Sequence, residues 1–131
     1  AAIALGPAAA CLGGCAIFGA SYSDLRKDAE SRVALPESVR SDSGLDADTA
    51  RYVGDYEGTQ VWLSRGSVDD DRICIILAPT DGPASVACDA VGSQLSASHR
   101  PARYYVVADG AEVPDDGENT RLSNNVYVIS K

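Results

Sequence analysis

Hydrophobic and polar residues divide this chain into three stretches of different character. Residues 1–23 carry no charged side chain and are rich in Ala, Gly, Leu and Ile. Charged and polar residues dominate from Asp24 to residue 50, and short apolar runs between Gly, Asp and Pro follow. The pattern predicts an apolar packing or anchor helix at 1–23, a stalk helix and polar linker at 24–50, and a β domain at 51–131.

The uncharged opening segment admits three interpretations. It is long enough to cross a membrane, since a transmembrane helix needs about 20 apolar residues. Its small residues also suit close packing against copies of itself, as in a filament core. Finally, the run from Leu12 to Cys15 (LGGC) resembles the bacterial lipobox, in which the cysteine is lipidated. Several acyl chains on Cys15 would give stable attachment, so each interpretation places this segment in lipid or in a dry packed setting.

The stretch that follows predicts a solvated helix and then a linker. Leu25, Ala29 and Val33 are spaced four apart and flanked by charges, which is typical of one helix face, and Pro36 would end that helix. Residues 37–50 are polar and contain Gly44. This composition indicates a linker between the stalk and the β domain.

The last 80 residues predict a small antiparallel sheet or meander of about six strands. The fold class is therefore mainly β with an N-terminal α-helix. In residues 59–65, Val61 and Leu63 alternate with Trp62, which places Trp62 on the opposite face of its strand. The run ICIIL is apolar throughout and predicts a central strand covered on both faces. The predicted strands are 51–56, 59–65, 72–78, 84–88, 103–108 and 125–130.

Cys74 and Cys88 fall on two successive predicted strands. Pro79, Asp81-Gly82 and Pro83 between them favour a turn, so a hairpin would bring the two thiols together. A disulfide closing a loop of this length stabilises a domain by about 3 kcal/mol, and an oxidising compartment would favour it. The alternative is a pair of unbonded buried thiols.

Charge and motif content exclude several functions. A net charge of −8 argues against a nucleic-acid partner, which requires clustered cations. His99 is the single histidine, and no nucleophile motif accompanies it, so we expect no catalytic residues and no enzyme. The acidic turns are expected to face water rather than to bind calcium. The sequence also contains no metal-ligand spacing and no glycine-rich phosphate loop, so we expect no metal and no cofactor.

Several pieces of the β domain resemble a recurring type of small membrane-anchored extracytoplasmic protein of actinobacteria. They are GDYEGTQVWLSRG, RICIIL, SVAC, and TRLSNNVYVIS after a DG pair. In that type an apolar helix precedes a short β domain with two strand cysteines and an ending of the form LSxNxYxV. Leu122, Ser123, Asn125 and Tyr127 match this ending, and Val128 lies one position before its final Val, where this chain has Ile129. The resemblance implies an architecture, since the type has no established activity.

These observations predict an extracytoplasmic interaction domain without catalytic activity, tethered to the cell membrane by its apolar N-terminal segment. Its partner would be another cell-envelope protein or component. Aromatic residues are enriched at interfaces, which makes Tyr52, Tyr56, Trp62 and Tyr104 the candidate contacts. The alternative is a structural subunit that self-associates into an extracellular filament with the N-terminal helices in its core.

Overall fold

The computed structural model describes residues 20–29, 33–41, 44–67, 71–113 and 118–130. A 3-10 turn at Ser23–Arg26 and a one-turn helix α1 at Glu37–Arg40 precede eight strands. The strands are β1 Leu45–Tyr56, β2 Thr59–Gly66, β3 Arg72–Pro79, β4 Ser85–Ala90, β5 Leu95–His99, β6 Ala102–Val106, β7 Asn119–Arg121 and β8 Val126–Ser130.

The strands form two antiparallel sheets of four, not one sheet of about six. The first sheet is a meander in the order β1-β2-β3-β4, and the second has the order β5-β6-β8-β7. All six predicted strands are present. The structure adds β5, which lies between the predicted strands 84–88 and 103–108, and the short β7. It also starts β1 at Leu45, inside the predicted linker.

The main core lies between the two sheets. Val61, Leu63 and Ile75 from the first sheet are fully buried there. They pack with Tyr104, Val106, Val126 and Val128 of the second sheet in one cluster. Because side chains alternate along each strand, only one face of each sheet contributes to this cluster.

A smaller cluster covers the opposite face of the first sheet. Trp62, Cys74 and Ile76 point away from the second sheet and lie under Leu35, Val39 and Leu45. Helix α1 contributes Val39, which is 2% exposed. The prediction that the ICIIL strand is covered on both faces is therefore confirmed.

The predicted stalk helix is not present in the described residues of this stretch. Residues 23–26 form a 3-10 turn, and Pro36 lies at the start of α1 instead of ending a longer helix. The reason is tertiary, because Tyr22 and Asp24 are buried against the sheets and the Asp24 backbone N–H bonds to Asn125. Residues 1–19 of the predicted apolar segment, including Cys15, lie outside the described residues.

The two ends of the domain contain different turns, and the first described residues lie at one of them. At one end, the Gly92 N–H in the β4–β5 turn donates to the Tyr22 hydroxyl, and the Ser21 carbonyl accepts a hydrogen bond from the Asp109 N–H after β6. We call this the clamp end. The turns β1–β2, β3–β4 and β5–β6 meet at the other, the cleft end. Glu57 and Gly58 in the first of these turns both have positive φ, which suits a two-residue hairpin turn.

Candidate functional site

The two strand cysteines form a disulfide. Cys74 and Cys88 are directly opposite each other on β3 and β4, with an S–S distance of 2.07 Å. The bond ties a central strand to the edge strand of the first sheet, beneath the cluster that contains Trp62. Its role in this position is structural, and it reinforces the smaller of the two large clusters.

Of the four predicted contact aromatics, Tyr52 and Trp62 lie together on the outer face of the first sheet. Their ring centroids are 5.5 Å apart in an edge-to-face arrangement. Trp62 is only 2% exposed, whereas Tyr52 is half-buried. Trp62 therefore packs in the core, and Tyr52 is the member of this pair that a partner can reach.

Tyr56 and Tyr104 lie at the cleft end. Their rings meet edge to face at 6.3 Å, and Tyr104 is 1% exposed. Burial raises the pKa of the Tyr104 hydroxyl, while a hydrogen bond with the Thr59 side chain acts in the opposite direction. The Tyr104 phenol thus stays neutral and hydrogen-bonded, and Tyr56 is the more accessible ring.

An open cleft of about 210 Å³ lies over this pair. Its rim carries charges of both signs, from Glu57, Asp81 and Arg100. His99 also lines it, at the end of β5. In the described part of the chain, no hydrogen bond joins the His99 imidazole to a carboxylate or a hydroxyl. The cleft therefore offers polar contacts to a ligand, without a paired acid and base.

A second concave surface adjoins the cleft across the β5–β6 turn. This groove, of about 560 Å³, lies over the outer face of the second sheet. Cross-strand pairing places Arg103 opposite both Ser98 and Ile129, and Tyr105 opposite Tyr127. The groove therefore combines cationic and apolar side chains on one sheet face. Its lining includes Ser98, Arg100, Pro101, Arg103, Tyr105 and Ile129.

A polar cluster at the clamp end holds the start of the described chain. Asp24 is 1% exposed and Asn125 is fully buried. The Asp24 N–H donates to Asn125 Oδ1 at 2.9 Å, and the Asn125 N–H donates to Asp24 Oδ2 at 3.0 Å. The Ser123 hydroxyl also donates to Asp24 Oδ2. These reciprocal bonds span 101 positions of sequence and satisfy groups whose burial would otherwise be costly.

Asp109 completes this cluster, which we call the clamp. Its carboxylate accepts hydrogen bonds from the Asn125 amide, from the Ser21 hydroxyl, and from both the N–H and the hydroxyl of Ser23. Partial burial by itself would raise the pKa of Asp109, but these four bonds outweigh it and lower the pKa to about 2. Arg26 adds an ion pair at 3.5 Å. The clamp therefore fixes residues 21–26 by charge-assisted bonds.

Sequence reasoning did not predict the clamp. In the sequence, Leu122, Ser123 and Asn125 stand out only as matches to the LSxNxYxV ending. In the structure, Ser123 and Asn125 bind Asp24. Leu122 packs closely on Gly54, and a Cβ at Gly54 would lie 3.2 Å from the Leu122 side chain. Asn125 directly precedes the apolar strand β8, and a polar side chain at the start of a buried strand is the signal that indicates an amide with specific partners.

The described residues contain no group of three or more His, Cys, Asp or Glu side chains arranged to hold a metal ion. Among the helices in these same ranges, none has the length and apolar character needed to cross a membrane.

The fold and these sites define a small disulfide-bonded β domain of two four-stranded antiparallel sheets. Comparison with protein-family models, with curated proteins and with solved structures finds no significant match to this chain.

Proposed function

We propose that this protein is a non-catalytic interaction domain, tethered by its apolar N-terminal segment to the outer side of the cell membrane. In this role it binds another cell-envelope protein or component. The opening 23 residues, which contain no charge, support the tether. The mixed polar and aromatic lining of the cleft end supports the binding role.

The observation that carries the proposal is the position of the clamp. Ala20, the first described residue, lies at the clamp end, where residues 21–26 are held by bonds of Asp24, Asp109 and Asn125. β5 runs from this end to the cleft end, and the antiparallel β6 runs back. Five strand residues span about 15 Å, so the cleft lies roughly that far from the point of entry. A tether before Ala20 would leave the cleft end facing away from the membrane, where a partner can reach it.

His99 supports the binding role through its position. It is exposed and lines the cleft, where its imidazole offers a polar contact to a partner. Tyr52 and Tyr56 remain the accessible members of the predicted contact set.

Fractionation of cells that produce the full chain tests the tether. We expect the protein in the membrane fraction after alkaline carbonate washing, and we expect protease added outside spheroplasts to digest the β domain. Mass spectrometry of the native protein then distinguishes an acylated Cys15 from a chain that retains residues 1–14. A monomeric protein dissolved in the cytoplasm with every thiol reactive would refute the proposal. Helical fibres in electron micrographs would refute it in favour of the filament subunit.

A further inference from the structure

We infer that the groove on the outer face of the second sheet binds an extended acidic peptide segment of a partner protein. In this arrangement, carboxylates of the peptide pair with Arg100 and Arg103, and an adjacent apolar side chain packs against Tyr105 and Ile129. The inference rests on the proposed function, because it names the chemistry of the partner.

Charge is the first argument. The chain has 19 Asp and Glu against 11 Lys and Arg, so cationic surface is scarce. Two of those cations nevertheless line this one groove, and no acidic side chain lines it. No carboxylate of the described residues lies within ion-pair distance of Arg100 or Arg103. Two free guanidinium groups in a concavity favour a carboxylate-bearing ligand, since Arg binds carboxylates through paired hydrogen bonds.

The apolar lining is the second argument. Tyr105 and Ile129 belong to a separate cluster with Val107 on the outer face of the second sheet, and Tyr127 packs against it. Pro101 adds apolar surface beside the β5–β6 turn. A simple inorganic anion would use the arginines and leave this surface uncovered. A peptide with alternating acidic and apolar side chains can contact both.

Strand order and position favour an extended peptide over a lipid headgroup. β5 is an edge strand of the second sheet, and Ser98 on β5 lines the groove. An edge strand can accept an added extended segment through backbone hydrogen bonds. Moreover, Arg100 and Pro101 belong to the cleft end, remote from Ala20, where a tethered domain faces away from the membrane surface.

The test uses the full chain in nonionic detergent and a fluorescein-labelled peptide of alternating Asp and Leu. Fluorescence anisotropy should show saturable binding. The double variant Arg100→Gln/Arg103→Gln should bind the peptide at least about tenfold more weakly, because a tenfold loss of affinity corresponds to only about 1.4 kcal/mol of binding free energy. Arg72→Gln is the matched control, because Arg72 is also an exposed strand arginine but lies on the first sheet. Peptides with Asn for Asp, or Ser for Leu, should bind at least about tenfold more weakly.

A charge swap gives a second measurement that does not depend on loss of binding. The variant Arg100→Glu/Arg103→Glu should bind a peptide of alternating Lys and Leu and reject the Asp peptide. Intact folding of each variant is checked by the fluorescence of the buried Trp62.

Several results would overturn the inference. One is binding of the Asp–Leu peptide that the double variant leaves unchanged. Another is binding of phosphatidylglycerol vesicles, without peptide binding, that depends on the two arginines. Self-association through the groove, seen in sedimentation and abolished by the double variant, would assign this surface to a second copy. These measurements do not involve the tether, so their failure is distinguishable from failure of the cell fractionation.

Discussion

Replacing Asn125 by Ala should destabilise the domain more than any single exposed substitution, because it dismantles the clamp from its centre. The Asn125 side chain makes three hydrogen bonds: it accepts from the Asp24 N–H and donates to the Val107 carbonyl and to Asp109. All three are lost in Asn125→Ala, and the side chain that makes them is fully buried.

The magnitude follows from the burial of the partners. Asp24 is 1% exposed and Val107 is 5% exposed, so each is left with an unsatisfied backbone group. Such a group costs about 1–3 kcal/mol. Asp109 keeps its bonds from Ser21 and Ser23 and therefore loses less. We expect a total loss of about 3–4 kcal/mol from the free energy of unfolding, against a typical total of about 5–15 kcal/mol for a domain.

Urea denaturation at neutral pH measures this loss, with the fluorescence of Trp62, the single tryptophan, as the probe. The matched control is Asn124→Ala. Asn124 is exposed and, among the described residues, accepts a side-chain hydrogen bond only from Arg121 at 2.9 Å, so its loss should cost less than about 0.5 kcal/mol. Equal losses for the two variants would refute the clamp as a source of stability. If Asn125→Ala does not fold, Ser123→Ala removes the bond to Asp24 and the bond that the Ser123 hydroxyl accepts from the Val126 N–H, and should cost about 1–2 kcal/mol.

Two further predictions concern the disulfide and the decline of the free energy of unfolding at acid pH. Reducing the Cys74–Cys88 bond, which joins residues 14 positions apart, should lower the free energy of unfolding by about 3 kcal/mol. Urea denaturation curves with and without reductant measure this loss. Peptide mapping that finds both thiols free in the native protein would contradict the prediction. The folded-state pKa of Asp109 is lowered from 3.8 to about 2, so its contribution is present above pH 4 and is lost as the pH falls towards 2. Asp109→Asn should therefore flatten the decline of stability between pH 4 and pH 2, and an unchanged slope would show that the carboxylate contributes nothing.

Strand positions were predictable because they depend on short-range patterning. All six predicted strands are present, since apolar and alternating runs between turn residues suffice to mark a strand that buries one or both faces. The disulfide was predictable from the same short-range patterning, because a hairpin places two strands that are successive in the sequence side by side. The strands that were missed are those without this pattern: β7 is exposed at every residue, and β5 has only Leu95 fully buried.

The surroundings of Trp62 illustrate the limit of pattern reasoning. Alternation with Val61 and Leu63 placed the Trp62 ring on the opposite face of its strand, and that placement is correct. Whether the ring was exposed depended on Leu35 and Val39, which come from a stretch predicted to be stalk and linker. Local polarity favoured a solvated segment there, and a few apolar side chains were enough to fold it over the sheet.

Local sequence patterns are sufficient to predict where the chain becomes β, which residues alternate into the core and which cysteines meet, because each of these depends on neighbours within one hairpin. Three other features arise only when the strands pack: the division into two sheets, the clamp between Asp24 and Asn125, and the placement of Arg100 and Arg103 around Tyr105. These features join groups that are far apart in sequence or lie on different strands, and their stability comes from desolvation and hydrogen bonding that exist only once the sheets have packed.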